Sequence, residues 1–298
     1  MTSSSGIENQ YIKLVSDLGG VLAARCVPVY GSRFSRRDFT VHQHIVLLVL
    51  RARERKPFRD FCEWLGVALE IRKALKLRRI PHYTTLQKQA ASLPPRFLEQ
   101  LVAWVGKKAA DSSEMVAVDA TGFSLDCSSH YYCKRIQRLD KYRNYLKTSI
   151  VGDMDTQVIL GARLRLKRRH DNIDFVPLLR KTRRRIMFNT VVADKAYDSE
   201  DNLAFVETEL KATPIIPPKY QDKPPDKTRG VRRQQLKANF PQQTYNQRNK
   251  IETIISVIKR CYGSTIHSRT HRTQKNELLL KLIAYNLRKI TQQIETLW

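Results

Sequence analysis

Acidic residues are scarce in this chain. It has 298 residues with only 28 Asp and Glu against 54 Lys and Arg, so the formal net charge at pH 7 is +26. That excess is too large for an ordinary cytosolic enzyme. It asks for a polyanionic partner, with nucleic acid first and an anionic membrane surface second. No basic amphipathic anchor stands out to favour a membrane. Long apolar runs are also missing. The longest, Ile45 to Leu50, is far too short to span a bilayer. The opening Met-Thr-Ser-Ser-Ser-Gly lacks the basic-then-apolar pattern of a secretory leader. Cysteines are few: five, at 26, 62, 127, 133 and 261, an odd number with no CxxC pair. Reduced thiols in a cytosolic setting are expected, with no disulfide framework. Cys127, His130 and Cys133 are near one another in sequence, but the spacing fits no common zinc pattern and a second ligand pair is missing.

Apolar residues make up 42% of the chain. That suffices for a sizeable core in one large or two modest domains. The first third reads as helical. Tyr11 to Arg25 suits a short helix, and Ser32-Arg-Phe-Ser-Arg-Arg37 is a basic segment. Phe39 to Arg55 suits a helix capped by Thr40 and ended by Pro57, and Phe58 to Leu65 a second stopped by Gly66. Thr84 or Thr85 can cap a third through Leu93, and Phe97 to Ala109 a fourth. With Gln87, Lys88 and Gln89 exposed, these helices suit either a helix-turn-helix that reads a DNA groove or an all-helical bundle without base contacts.

From Glu114 the texture changes. Met115-Val-Ala-Val-Asp119 is a short apolar run that predicts a buried strand with a carboxylate at its tip, followed by a turn. Two more strands are expected at Tyr145 to Val151 and Val158 to Lys167. Ala162, Leu164 and Leu166 alternate with Arg163, Arg165 and Lys167 in the second. A helix over 174–185 precedes Thr190 to Ala193, another β-branched run ending in an acid, Asp194. A helix capped by Ser199 and a strand over 213–216 follow. Between Lys219 and Lys237 there are seven basic and two acidic residues, with the pair Pro224-Pro225, which reads as a mobile basic loop. The last element, Asn276 to Thr296, is a helix with Leu279, Ile283, Leu287 and Ile290 on one face.

Before it lies an amphipathic segment, Tyr245 to Lys259. Ile251, Ile255, Ile258 and Tyr262 form an apolar stripe; Tyr245, Arg248, Glu252, Ser256 and Lys259 form a second, about 100° round the axis. Taken alone, that second stripe suits a solvated surface as well as a binding face. A mixed sheet flanked by helices would change this. If the strands ending in Asp119 and Asp194 are parallel neighbours, both acids sit beyond the strand ends, where ligands gather. Glu252 could close the group. Three such carboxylates repel unless a divalent cation lies among them. Mg²⁺ takes oxygen ligands and phosphate oxygens, and two ions about 4 Å apart serve in-line phosphoryl displacement.

These residues resemble the DDE transposases of insertion sequences, in the group with a Tyr-Arg-Glu-Lys signature. That signature is Tyr, two residues, Arg, three residues, Glu, six residues, Lys, and it is met here by Tyr245, Arg248, Glu252 and Lys259. Val-Asp119-Ala-Thr-Gly-Phe-Ser and Ala-Asp194-Lys-Ala-Tyr-Asp-Ser resemble the other two boxes, with Ala196 in place of the more usual glycine. The resemblance covers residue 115 to the C-terminus well and the helical third loosely. It implies an α/β, ribonuclease-H-like domain over 113–298, preceded by the all-helical region over 1–112, for which a helix-turn-helix DNA-binding domain and a plain bundle both stay open. It implies Asp119, Asp194 and Glu252 as catalytic metal ligands for two Mg²⁺ ions, with Mn²⁺ as substitute, and Tyr245, Arg248 and Lys259 as DNA contacts. His170 and Asp171 fall where relatives often carry a supporting His-Asp pair. The implied reaction frees 3′-hydroxyls at the ends of an insertion sequence and joins them to target DNA, in a homodimer on double-stranded DNA in the cytoplasm, at the nucleoid. A catalytically inactive DNA-binding protein and a Mg²⁺-dependent nuclease without strand transfer are the alternatives.

Overall fold

The computed structural model describes residues 4–125, 145–166, 170–219 and 224–295. Its centre is one long strand, β1 (Ser112–Leu125). Antiparallel to it runs β2 (Tyr145–Asp153), and β3 (Ile159–Arg165) is antiparallel to β2. On the other side β4 (Met187–Ala193) is parallel to β1, and β5 (Thr213–Ile215) is parallel to β4. The order is β3-β2-β1-β4-β5, with a short β6 (Thr265–Ile266) beside the far end of β1. This is the mixed, ribonuclease-H-like sheet flanked by helices that the sequence led one to expect.

One expectation needs correction. The strand carrying Asp119 does not stop there. It runs on to Leu125, because β2 pairs with it along its whole outer half, from Asp119 opposite Ile150 to Ser124 opposite Tyr145. The apolar run ends at Val118, but cross-strand hydrogen bonds do not need apolar side chains to continue. What ends at Val118 is the parallel partner: Val118 lies opposite Ala193, the last residue of β4.

Alternate residues of β1 face opposite layers, as the strand period requires. Val116 and Val118 pack with Val191, Phe188 and the buried side of α7 (Asn172–Arg183) and α8 (Glu200–Thr208). Ser199 caps α8, accepting from the Asn202 N–H at 3.1 Å. Ala117 and Phe123 pack into the opposite layer, built by α11 (Asn249–Tyr262), α12 (His271–Glu295) and the N-terminal helices.

Those helices are α1 (Ser4–Ala24), α2 (Val41–Glu54), α3 (Phe58–Val67), α4 (Leu69–Ala74), α5 (Tyr83–Ser92) and α6 (Pro95–Ala109). Thr40 forms a full capping box with Gln43 at the start of α2. Gly66 lies inside α3 instead of ending it, and α4 follows almost at once. The cap of α5 is His82, whose Nδ1 accepts from the Thr84 N–H at 3.4 Å, and not Thr84 or Thr85. Gln87 and Lys88 of α5 are exposed and Gln89 is half-buried. The helices share one core with α12. Buried Asn286 fastens the layers: its Oδ1 accepts from the Ile159 N–H at 2.8 Å, and its Nδ2 donates to the carbonyls of Ile159 (2.8 Å) and Val102 (3.1 Å).

The basic stretch expected to be a mobile loop contains a helix, α9 (Val231–Ala238). Composition alone hid its anchors. Arg232 pairs with Glu207 at 2.5 Å, and Arg233 pairs at 2.8 Å with Asp198, which is almost fully buried. The Lys219 N–H donates to the same Asp198 at 3.0 Å. The segment expected as one helix from Tyr245 is split into α10 (Gln242–Asn246) and α11. At the joint the N–H groups of Arg248, Lys250 and Ile251 donate to carbonyls three residues back, a tight 3₁₀-type turn. Among the described residues no helix is long and apolar enough to cross a membrane. Cys127, His130 and Cys133 lie outside the described residues.

Candidate active site

Asp119 and Asp194 are the next residues after the last parallel pair, Val118 opposite Ala193. The register alone therefore puts the two acids side by side on neighbouring strands. Their oxygens are arranged alike. Asp119 Oδ1 accepts from the Ala120 N–H at 2.8 Å, and Asp194 Oδ1 accepts from the Lys195 N–H at 2.6 Å. Each keeps its Oδ2 towards one cationic group: Arg248 Nη2 lies 3.6 Å from Asp119 and 4.0 Å from Asp194. The other arm, Arg248 Nη1, donates to Glu252 Oε1 at 2.6 Å. One guanidinium thus touches all three carboxylates.

The helix is held at that place by its apolar side. Ile251, Ile254, Ile258 and Tyr262 are buried, and Ile255 is only half-buried. The sequence stripe named Ile255 and left out Ile254; the helix is turned slightly so that 254 faces the sheet. Gly152 of β2 makes room for it. A Cβ there would sit 2.8 Å from Ile254 Cδ1, which would have to shift, and 3.0 Å from Ile251 Cδ1, which would have to give by a few tenths of an ångström. The glycine therefore sets how near α11, and Glu252 on its first turn, comes to β1.

The electrostatics follow from burial. Asp119 is 19% exposed, and burial raises its pKa above the ordinary carboxylate value. The Ala120 N–H and Arg248 work against that rise, while Asp194 and Glu252 add to it. For Arg248 burial opposes the charge, but Asp119, Glu252 and Asp194 together raise its pKa. Its Nε is buried without a partner among the described residues. Glu252 is 56% exposed, so the group opens to solvent on the helix side.

The remaining expected residues fall around this centre. Tyr245 packs edge-on against Phe240 at 5.3 Å, and burial raises its pKa. Lys259 lies over the Phe123 ring at 5.6 Å, farther along β1. Asp171 is ion-paired with Lys147 of β2, and His170 is exposed. The sequence reading gave Tyr197 and Asp198 no role. Tyr197 is buried against Phe175 at 5.3 Å, its hydroxyl without a partner among the described residues; burial, then the acids around it, drive its pKa up. Asp198 anchors α9, and its only signal in the sequence was its place beside the Asp194 box.

Among the described residues no three His, Cys, Asp or Glu side chains are close enough to make a ready cation cluster. The guanidinium stands between the three acids and holds a position where positive charge is wanted. The donors themselves, all carboxylate oxygens, suit a hard divalent cation.

The sequence profile of the transposase DDE domain matches residues 111–287, more than half of the chain, a span within which Asp119, Asp194 and Glu252 lie. The chain belongs to the DDE transposase family. Its members are enzymes that cut and join DNA. Among solved structures, this transposase is similar to the piggyBac transposase in its synaptic complex with hairpin DNA, seen by cryo-EM. The identity is 11% and the TM-score 0.47, over 96% of this chain and 75% of that one. Comparison with curated proteins finds no match. The DDE assignment therefore rests on the family match, which spans the elements from β1 to most of α12.

Proposed function

We propose that this transposase belongs to the insertion-sequence group with the Tyr-Arg-Glu-Lys signature. It binds the ends of its element, cleaves phosphodiester bonds to free 3′-hydroxyls, and joins them to target DNA. The observation that carries this is the meeting of Asp119, Asp194 and Glu252 around one guanidinium at the end of the β1–β4 pairing. Members of the family work with divalent metal ions. In this chain the three carboxylates would hold them, Mg²⁺ with Mn²⁺ as substitute. Two bound ions would supply an activated nucleophile and charge stabilisation at the leaving oxygen.

The rest of the work falls to the protein's own groups. Arg248 holds the three acids together without a metal, and an anionic phosphate can draw its guanidinium away from them. Tyr245 and Lys259 flank the carboxylates along the same face and contact the strand being cut. His170 and Asp171 support the site from the start of α7, with Lys147 fixing Asp171. Residues 1–112 supply further DNA contacts. There the Arg33, Arg37 and Arg79 guanidinium groups lie over the rings of Phe34, Tyr30 and Phe39, and Phe34 is 81% exposed. Of these rings only Phe34 is open, Tyr30 and Phe39 being half-buried and Arg79 paired with Asp38, and a cation beside an open ring suits phosphate and base together. The protein acts on double-stranded DNA at the nucleoid as a homodimer, because two ends must be processed together.

The test is a strand-transfer assay with the element's own ends and Mg²⁺ or Mn²⁺. Cleaved and joined products are expected from the native protein and none from Glu252→Ala. Full activity in that variant would refute the metal-ligand role. Cleaved products without joining would show a nuclease, and tight DNA binding without cleavage an inactive DNA-binding protein.

A further inference from the structure

A cavity of about 610 Å³ opens at the free edge of β3, away from the three carboxylates. The first turns of α6 and α12 and the middle of α7 form its walls. Five cationic side chains line it, Arg96, Arg163, Lys181, Arg272 and Lys275, against one acid, Glu99. Two of the five have acidic partners. Arg163 pairs at 2.8 Å with buried Asp174, which Arg165 shares at 2.5 Å, and Lys181 pairs with Glu99 at 2.9 Å. Arg272 is fixed in place without losing its charge, donating to the carbonyls of Ser92 and, at 3.2 Å, Leu93. Arg96 and Lys275 have no acidic partner among the described residues. Three positive charges therefore remain over a concave surface. The N-terminal ends of two long helices add positive potential to it.

The sheet register locates this cavity relative to the carboxylates. Ala162, which lines the cavity, lies opposite Ile150, and Ile150 lies opposite Asp119, so the three share one face of the sheet. The cavity is thus level with the candidate active site and two strands away, on the order of 10 Å at the usual strand spacing. That is about three base-pair rises of 3.4 Å. The three remaining charges stand on the two walls made by α6 and α12, with Arg96 and Arg272 exposed at the rim, and fit an extended polyanion better than one small ion.

We propose that the cavity at the β3 edge is a second phosphodiester-binding site, gripping the DNA backbone a few nucleotides from the reacting phosphate. This rests on the DNA-cutting reading above. The test is the double variant Arg96→Glu with Lys275→Glu in the full chain, with the pair Arg96→Gln and Lys275→Gln as a milder version. Both residues are at the surface of the cavity, and thermal unfolding should match the native protein. Binding to a duplex carrying the transposon end and to an unrelated target duplex is measured across salt concentrations, together with Mg²⁺-dependent joining. For the Glu pair, a loss of about tenfold or more in affinity at ~0.1 M salt is expected. The log–log salt slope should become shallower by roughly two, about 0.9 for each phosphate contact. The Gln pair should change the slope in the same direction by a smaller amount. A loss confined to the end duplex would assign the cavity to transposon DNA. Intact end binding with failed joining would assign it to target DNA. Unchanged affinity, slope and joining in both pairs would overturn the proposal, while native DNA binding and cleavage would leave the reading of the carboxylates standing. A native protein that binds neither duplex would overturn both.

Discussion

Arg248→Gln is the substitution that separates charge from packing at the three carboxylates. Glutamine keeps much of the side-chain length and removes the positive charge. The largest loss concerns Asp119, because both it and Arg248 are largely buried, at 19% and 15% exposure. At 3.6 Å the bare attraction is about 4–5 kcal/mol with an effective dielectric of about 20. Relief of the arginine's own desolvation offsets part of that. We expect roughly 2 kcal/mol to remain for this pair, between the surface and fully buried cases. Asp194 and Glu252 are 41% and 56% exposed, so together they add no more than about 1 kcal/mol. A loss of about 2–3 kcal/mol should lower the melting temperature by roughly 5 °C.

The pH dependence gives the sharper test. Burial raises the folded-state pKa of Asp119, and Arg248 opposes that rise. Removing Arg248 raises it further. A carboxylate with a raised folded pKa binds more protons folded than unfolded, so its penalty grows as pH climbs from the ordinary carboxylate range towards the folded value. The deficit of Arg248→Gln should therefore be small near pH 4 and grow as pH rises through the folded pKa of Asp119. Divalent cations should restore more stability to the variant than to the native protein, because they meet carboxylates with no internal counter-charge. Thermal unfolding with EDTA and then with Mg²⁺, between pH 4 and pH 8, measures all of this. An equal deficit at both ends of that range, with no extra rescue by cations, would mean that Arg248 acts by packing and that the charge argument is wrong.

Three other substitutions test how the site is built. Gly152→Val should push Ile251 and Ile254 outwards and shift Glu252; we expect DNA cleavage to fall more than tenfold while the circular dichroism spectrum stays helical and sheet-like. Asn286→Ala should leave backbone groups of Ile159 and Val102 unpaired in the core, each at about 1–3 kcal/mol, and denaturant titration should show a total loss of about 3 kcal/mol. Lys259→Ala should weaken binding to all DNA sequences alike and flatten the salt slope by about one; an unchanged slope would show that Lys259 serves only to cover Phe123.

The sequence determined which chemical groups are present and, through spacing, much of their grouping. The net charge of +26 named a polyanion as partner. The apolar runs before Asp119 and Asp194 became central strands, because both faces of such strands are buried and periodicity reports burial directly. Local caps were partly legible: Thr40 and Ser199 were read correctly, while His82 was not, since a histidine ring accepting from a backbone N–H leaves no common signature. What the sequence could not determine depends on contacts between distant segments. That Asp119 lies mid-strand follows from β2 continuing beside it after β4 has ended. That the basic stretch after Lys219 contains a fixed helix follows from acids on α8 and from Asp198. Only the tertiary structure decided the place of Arg248. The family resemblance implies a DNA contact for it, but the strand register brings Asp119 and Asp194 to the same guanidinium. Charge balance among the three acids, of which Asp119 is the most buried, then makes it their shared partner.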